Sequence, residues 1–347
     1  MTCPGDNTRM PNPDDRAAMN AHAARPSGPS NDELRARLHS RLDQIDAERP
    51  DLGPALVLQR VLLTREIELL DALRAGGLPS LSLPPRYLAA KLAAGIPALH
   101  AEPIPLPTGL LTLSLRDFCE RLRSGSTAAA VEGVVEAFDA RGLDGVALLS
   151  ACFGRDQQRV RLIAGHFGIS PDLVWLVTEL ALAPFAHLLQ VQVLSTASTG
   201  SGASAGGDAV CAALANWDRG FCPACGSWPA LIEAGADGHL LRCSFCARGW
   251  QLLNYRCIYC GNDAEGFITA AADPEQPGRR LQLCGACGGY VKVLEVAAPT
   301  VFPLVAIEDL VSLDLDMAAI QRNYVRPALP EIKKRQPGSG RGLTPLQ

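Results

Sequence analysis

The sequence predicts an α+β protein: a helical N-terminal bundle, two small β modules that each bind metal through four cysteines, and a C-terminal helix. Three observations predict it. Leucine-rich segments with apolar residues three and four apart recur over residues 30–195, with no alternation of strand and helix patterns. Four C-x-x-C pairs follow between residues 222 and 287. Between the members of each quartet lie two short apolar runs joined by a polar turn, the pattern of a β-hairpin.

The elements follow in order. Residues 1–29 are polar and proline-rich and read as disordered. Ser30 and Glu33 form an S-x-x-E capping box, after which Leu34, Leu38, Leu42 and Ile45 keep helical spacing up to Pro50. Pro54 opens a second helix carrying Leu58, Leu62, Leu69 and Leu73, closed by Gly76 and Gly77. Further helices are predicted at 87–94, 113–122, 127–141 and 155–167. A long one starts at Ser170 and Pro171, with Pro184 expected to kink or divide it. The helical domain is thus placed at 30–195, followed by a Gly/Ser linker or loop at 196–208. A short helix over 209–217 leads into a first four-cysteine module at 209–255 and a second at 256–298. One last helix is read at 307–324 within a 299–326 segment, and 327–347 reads as a disordered tail.

The cysteine pairs are Cys222/Cys225, Cys243/Cys246, Cys257/Cys260 and Cys284/Cys287, separated by 17, 10 and 23 residues. A C-x-x-C turn directs two thiolates at one ion, and two such turns complete a tetrahedral four-sulfur site. The knuckles can pair sequentially or in a cross-braced order; sequential pairing, the preferred reading, makes each quartet a rubredoxin-like or zinc-ribbon-like module, in which metal replaces a core that so short a segment can hardly build. Zinc, mononuclear iron and an iron–sulfur cluster all accept four thiolates, so the donor set leaves the metal open. A thiol oxidoreductase would carry one such pair at a helix N-terminus instead of four in hairpin turns. Cys119, Cys152 and Cys211 stand alone and read as small core hydrophobes, and Cys3 falls in the N-terminal segment. His166 and His187 read as satisfied core or boundary residues, and His239 as solvated.

Composition narrows the function. The 347 residues carry a net charge of −4, and no phosphate loop, Ser-His-Asp order or paired catalytic carboxylate is evident, so the chain reads as a non-enzyme. Six basic residues face seven acidic ones over 220–297, which removes the electrostatic footprint that a nucleic-acid-binding ribbon needs. Residues 173–194 are apolar but broken by Glu179, Pro184, His187, Gln190 and Gln192. They predict a buried helix, no membrane insertion and a cytoplasmic protein, a compartment where paired cysteines bind metal in preference to forming disulfides.

The wording around the knuckles carries a more specific likeness. "WDRGFCPACGSWP" (217–229), "LRCSFCARGW" (241–250), "YRCIYCGN" (255–262), "CGACGGYVKVLE" (284–295) and "IEDLVSLDLDMAA" (307–319) resemble the FdhE family of formate dehydrogenase accessory proteins. The resemblance covers about 110 residues. It implies a non-catalytic cytoplasmic protein that binds the catalytic subunit of a respiratory formate dehydrogenase and assists its maturation. It also implies rubredoxin-like sites on the eight cysteines, with iron preferred and zinc the alternative. Trp228, Trp250, Tyr255 and Tyr259 are the expected docking surface that a metal scaffold would present.

Overall fold

In the computed structural model, residues 29–123, 128–199, 205–264, 266–271, 275–330 and 332 are described. The N-terminal segment and most of the tail read as disordered lie outside them. Ser30 caps the first helix, α1 (Asn31–Glu48), its hydroxyl accepting from the Glu33 amide at 3.2 Å. Leu34, Leu38, Leu42 and Ile45 are all buried along one side, as their spacing requires. A 3-10 turn leads to α2 (Gly53–Ala72), which ends in a widened turn where Gly76 takes φ 143°, a conformation closed to other residues.

Six more helices build the N-terminal body: α3 (Pro85–Ala93), α4 (Thr108–Leu122), α5 (Ala128–Asp139), α6 (Gly145–Phe153), α7 (Gln157–Phe167) and α8 (Pro171–Thr199). The sequence pattern does not separate α6. Asp144 caps it and Asp156 caps α7, and Gly154 and Arg155 make the turn between them. Helix α8 runs through Pro184 without being divided. It is long and apolar enough to cross a membrane by composition, yet 61% of its apolar window is buried inside the fold. Then α9 (Ala205–Ala215) packs on α3 and α8, so helices enter the Gly/Ser stretch from both ends and residues 200–204 are what remains outside the description.

The six strands are β1 (Pro229–Gly235), β2 (Gly238–Cys243), β3 (Gly249–Trp250), β4 (Phe267–Ala271), β5 (Arg279–Cys284) and β6 (Tyr290–Glu295). The two expected hairpins form, β1 with β2 and β4 with β5, both antiparallel. Each gains a third strand from the residues after its second knuckle. The two ribbons then fuse: β1 pairs in parallel with β6, giving one sheet of order β3-β2-β1-β6-β5-β4. Each ribbon contributes its strands in the order third, second, first, so the second repeats the first by translation along the sheet.

This sheet is covered on both faces, and side-chain alternation assigns the cover. Ile232, Leu241, Val291 and Val293 join the cluster of the helical body. Leu231, Leu281, Leu283 and Leu294 join α1, α2 and the C-terminal helices. The ribbons therefore share a real hydrophobic core and do not depend on metal for one. The C-terminal helix read from the sequence is two: α10 (Val305–Val311) and α11 (Leu313–Ile320). They break at Ser312, whose hydroxyl donates to the carbonyls of Glu308 and Asp309 and competes with the helical ladder. Arg41 ties α1 to α10 by two bonds to Glu308, at 2.7 and 2.8 Å.

Candidate metal centres

All four knuckles are built alike. The amide of the first cysteine donates to the carbonyl five residues on: Cys222 to Ser227, Cys243 to Arg248, Cys257 to Asn262 and Cys284 to Gly289, at 2.8–2.9 Å. The residue four on has positive φ in every case: Gly226, Ala247, Gly261 and Gly288. Three glycines adopt that conformation freely, and Ala247 adopts it while buried at the packed second knuckle. Amides inside the turns point at sulfur, with Ala224 N–H to Cys222 and the Phe245 and Cys246 N–H groups to Cys243, each at 3.4 Å.

Pairing is sequential. Cys222, Cys225, Cys243 and Cys246 form one cluster and Cys257, Cys260, Cys284 and Cys287 the other, the sulfurs of each lying within 4.8 Å of one another. Within them Cys222–Cys246 and Cys225–Cys243 are 3.7 and 3.4 Å apart, Cys257–Cys287 and Cys260–Cys284 3.7 and 3.6 Å. Those separations are far too long for disulfides. They suit a tetrahedron of metal–sulfur bonds of about 2.3 Å, whose edges are about 3.8 Å.

The clusters differ in their surroundings. Every cysteine of the first is buried, whereas Cys260 and Cys287 of the second are exposed. Three arginines with buried side chains surround the first. Arg155, which itself has positive φ, lies between Trp175 and Phe245, with its guanidinium 4.7 and 4.6 Å from the ring centres, and pairs with Glu179 at 2.5 Å. Burial disfavours a thiolate at Cys225, but hydrogen bonds from the neighbouring thiols and the Arg155 charge hold it well below the usual thiol range. Arg242 and Arg248 are buried beside Cys243, Cys246 and Cys222, and burial lowers both guanidinium pKa values. Burial also raises the Cys243 and Cys246 thiols well above their ordinary value, so four thiolates gather there only around a cation.

The helical body supplies the cover. Ala98 and Leu99 amides donate to the carbonyls of Pro223 and Ala224 on the first knuckle, and His187, stacked on Phe302 at 4.4 Å, has Nδ1 3.0 Å from the Cys246 carbonyl. Buried Lys91 holds the 98–102 segment in place through the carbonyls of Ala98 and His100 and the carboxylate of Glu102. Arg155 and His187 carry no local signal for this role in the sequence. Arg242 and Arg248 do, flanking the second knuckle on either side.

Of the other singled-out residues, Cys119 and Cys152 are buried, and burial raises their thiols, Cys119 to about 12. His187 is satisfied by its carbonyl contact. The expected docking surface is corrected at Trp250, which is 1% exposed in the core with its indole donating to the Arg219 carbonyl. On the edge strand β3 its large apolar area is buried against the helical body. Trp228 and Tyr259 are partly covered, stacked edge-on at 4.9 Å, and the Trp228 indole donates to Ala328 in the segment beyond α11. That segment bridges the knuckles, from Val325 N–H on the Gly288 carbonyl to Ile332 beside Gly226. Its described residues are exposed or half-buried, with these contacts tying them to the knuckles.

No family model matches the chain. Curated relatives do: an FdhE homolog of Aquifex aeolicus at 26% identity over 115 residues, one of Cronobacter sakazakii at 31% over 116, and the protein FdhE of Escherichia coli O127:H6 at 31% over 115. Each match takes in 32% of this chain and spans 37–40% of the relative's length. The crystal structure of the FdhE protein from Pseudomonas aeruginosa shares the fold, with a TM-score of 0.53 and 23% identity over 87% of this chain and 96% of that one.

Proposed function

We propose that this chain, similar to FdhE proteins in its knuckle region and in its fold, belongs with them as a non-catalytic cytoplasmic accessory factor. It binds the catalytic subunit of a respiratory formate dehydrogenase and assists its maturation, and Cys222, Cys225, Cys243, Cys246, Cys257, Cys260, Cys284 and Cys287 hold its two metal ions. What supports this most is the pair of four-cysteine clusters, each with sulfur separations that suit a tetrahedral ion. Iron is the preferred metal, on the family resemblance, with zinc the alternative; either would lock the knuckles to the strands that follow them. Nucleic acid is disfavoured as a partner by the charge balance around the knuckles.

Two measurements test the reading. Elemental analysis and visible absorption of protein purified without oxygen should give two ions per chain, with thiolate-to-iron bands that weaken in the Cys222→Ser/Cys225→Ser variant. Colourless protein with two zinc ions would assign the centres to scaffolding. Titration with the catalytic subunit should show binding, and turnover of formate by this chain alone would overturn the accessory role.

A further inference from the structure

The repeat in the sheet makes the two centres comparable position by position. Cys225 and Cys260 are each the second cysteine of their ribbon's first knuckle, and Cys246 and Cys287 of its second. In the first ribbon this pair of positions is largely covered. Cys225 is 7% exposed under Arg155, and Cys246 is fully buried with His187 on its carbonyl. In the second ribbon the same two positions face solvent.

Sequence follows the difference. The second knuckle of the first ribbon carries Phe245, whose ring flanks the Arg155 guanidinium; the corresponding residue of the second ribbon is Ala286, exposed beside exposed Gly285. Three arginines with buried side chains, Arg155, Arg242 and Arg248, lie around the first cluster. Four thiolates on a divalent ion carry a net charge of about −2, and the first centre meets this with buried guanidinium groups while the second presents it to the surface.

We propose that the exposed face of the second centre, around Cys260, Ala286 and Cys287, is a docking surface for a protein partner that presents an arginine. That side chain takes the place which Arg155 of the helical body takes on the first centre. Charge complementarity argues for a guanidinium: it offers several N–H donors in a plane, suited to two sulfurs at once, and is weakly hydrated. Small residues around the sulfurs let the partner's backbone come close. The identity of the partner as a formate dehydrogenase subunit rests on the accessory reading above; the existence of the surface does not.

The test uses the full metal-loaded chain and two probes. The peptide acetyl-Gly-Arg-Gly-amide should slow alkylation of Cys260 and Cys287 by N-ethylmaleimide in a dose-dependent way, read by mass spectrometry, and its norleucine analogue should not. Equal rates with both peptides overturn the surface. Ala286→Arg should keep both ions and weaken binding of the catalytic subunit about tenfold or more by placing the cation in cis. Leu162→Glu, on the exposed side of α7, is the control that leaves binding unchanged. Unchanged affinity in Ala286→Arg overturns the surface; a wild-type chain that does not bind the subunit overturns the accessory reading, while peptide protection still decides the surface.

Discussion

The first cysteine cluster is buried under the helical body and ringed by three arginines, while the second, made of the same turns, leaves two of its four cysteines in solvent. Identical local geometry thus serves two ends. A centre sealed by long-range contacts acts as a joint between helices and sheet, and one left open keeps its sulfurs available for chemistry or contact. Removing ligands from each is the strongest way to break this comparison. Structural metal sites contribute on the order of 10 kcal/mol. Cys222→Ser/Cys225→Ser should lose one ion and the cooperative unfolding of helices with sheet, seen by calorimetry. Cys257→Ser/Cys260→Ser should also lose one ion but keep a cooperative transition; equal calorimetric effects would end the distinction.

Chelator competition sharpens it. The ion of the second centre should leave about tenfold faster or more, because solvent and chelator reach its sulfurs directly, and release of both ions at one rate would contradict the burial difference. A smaller effect follows from Arg155→Gln, which removes the cation beside Cys225 and leaves Glu179 unpaired. It should cost about 3 kcal/mol in chemical denaturation and accelerate metal release at the first centre alone.

An effect confined to the helical body concerns Glu66, buried in α2, whose carboxyl is pushed up to about 8 by burial. Its folded form holds a proton that the unfolded form has shed above about pH 4.5, so stability falls as pH rises from there to about 8. The slope is at most about 1.4 kcal/mol per pH unit. Glu66→Gln should flatten that slope and leave the metal content of both centres unchanged, separating the helical body's stability from the cysteine clusters.

Much of the site was legible because it is local. Eight cysteines in four C-x-x-C pairs and the two hairpins all follow from spacings of a few residues, and the positive φ of Ala247 at the second knuckle does not. The missed features are long-range. Helix α6 was lost between two turns, Ser312 broke a helix that periodicity alone would continue, and Trp250 went to the core. Arg155 reached the first centre from a turn some seventy residues away in the chain.

By itself the sequence determined the knuckles, the ribbon hairpins, the capped helices and the donor set for metal, since each depends on neighbours in the chain whose geometry is set by turn chemistry and hydrogen bonding, whereas the sequential pairing of the knuckles was chosen over a cross-braced one only in the fold. Only the tertiary structure decided that the ribbons fuse through the parallel β1–β6 pair, that helices cover both faces of the sheet, and that one centre is sealed and the other open. Burial is a property of what two distant segments exclude together, and no spacing within either segment encodes it.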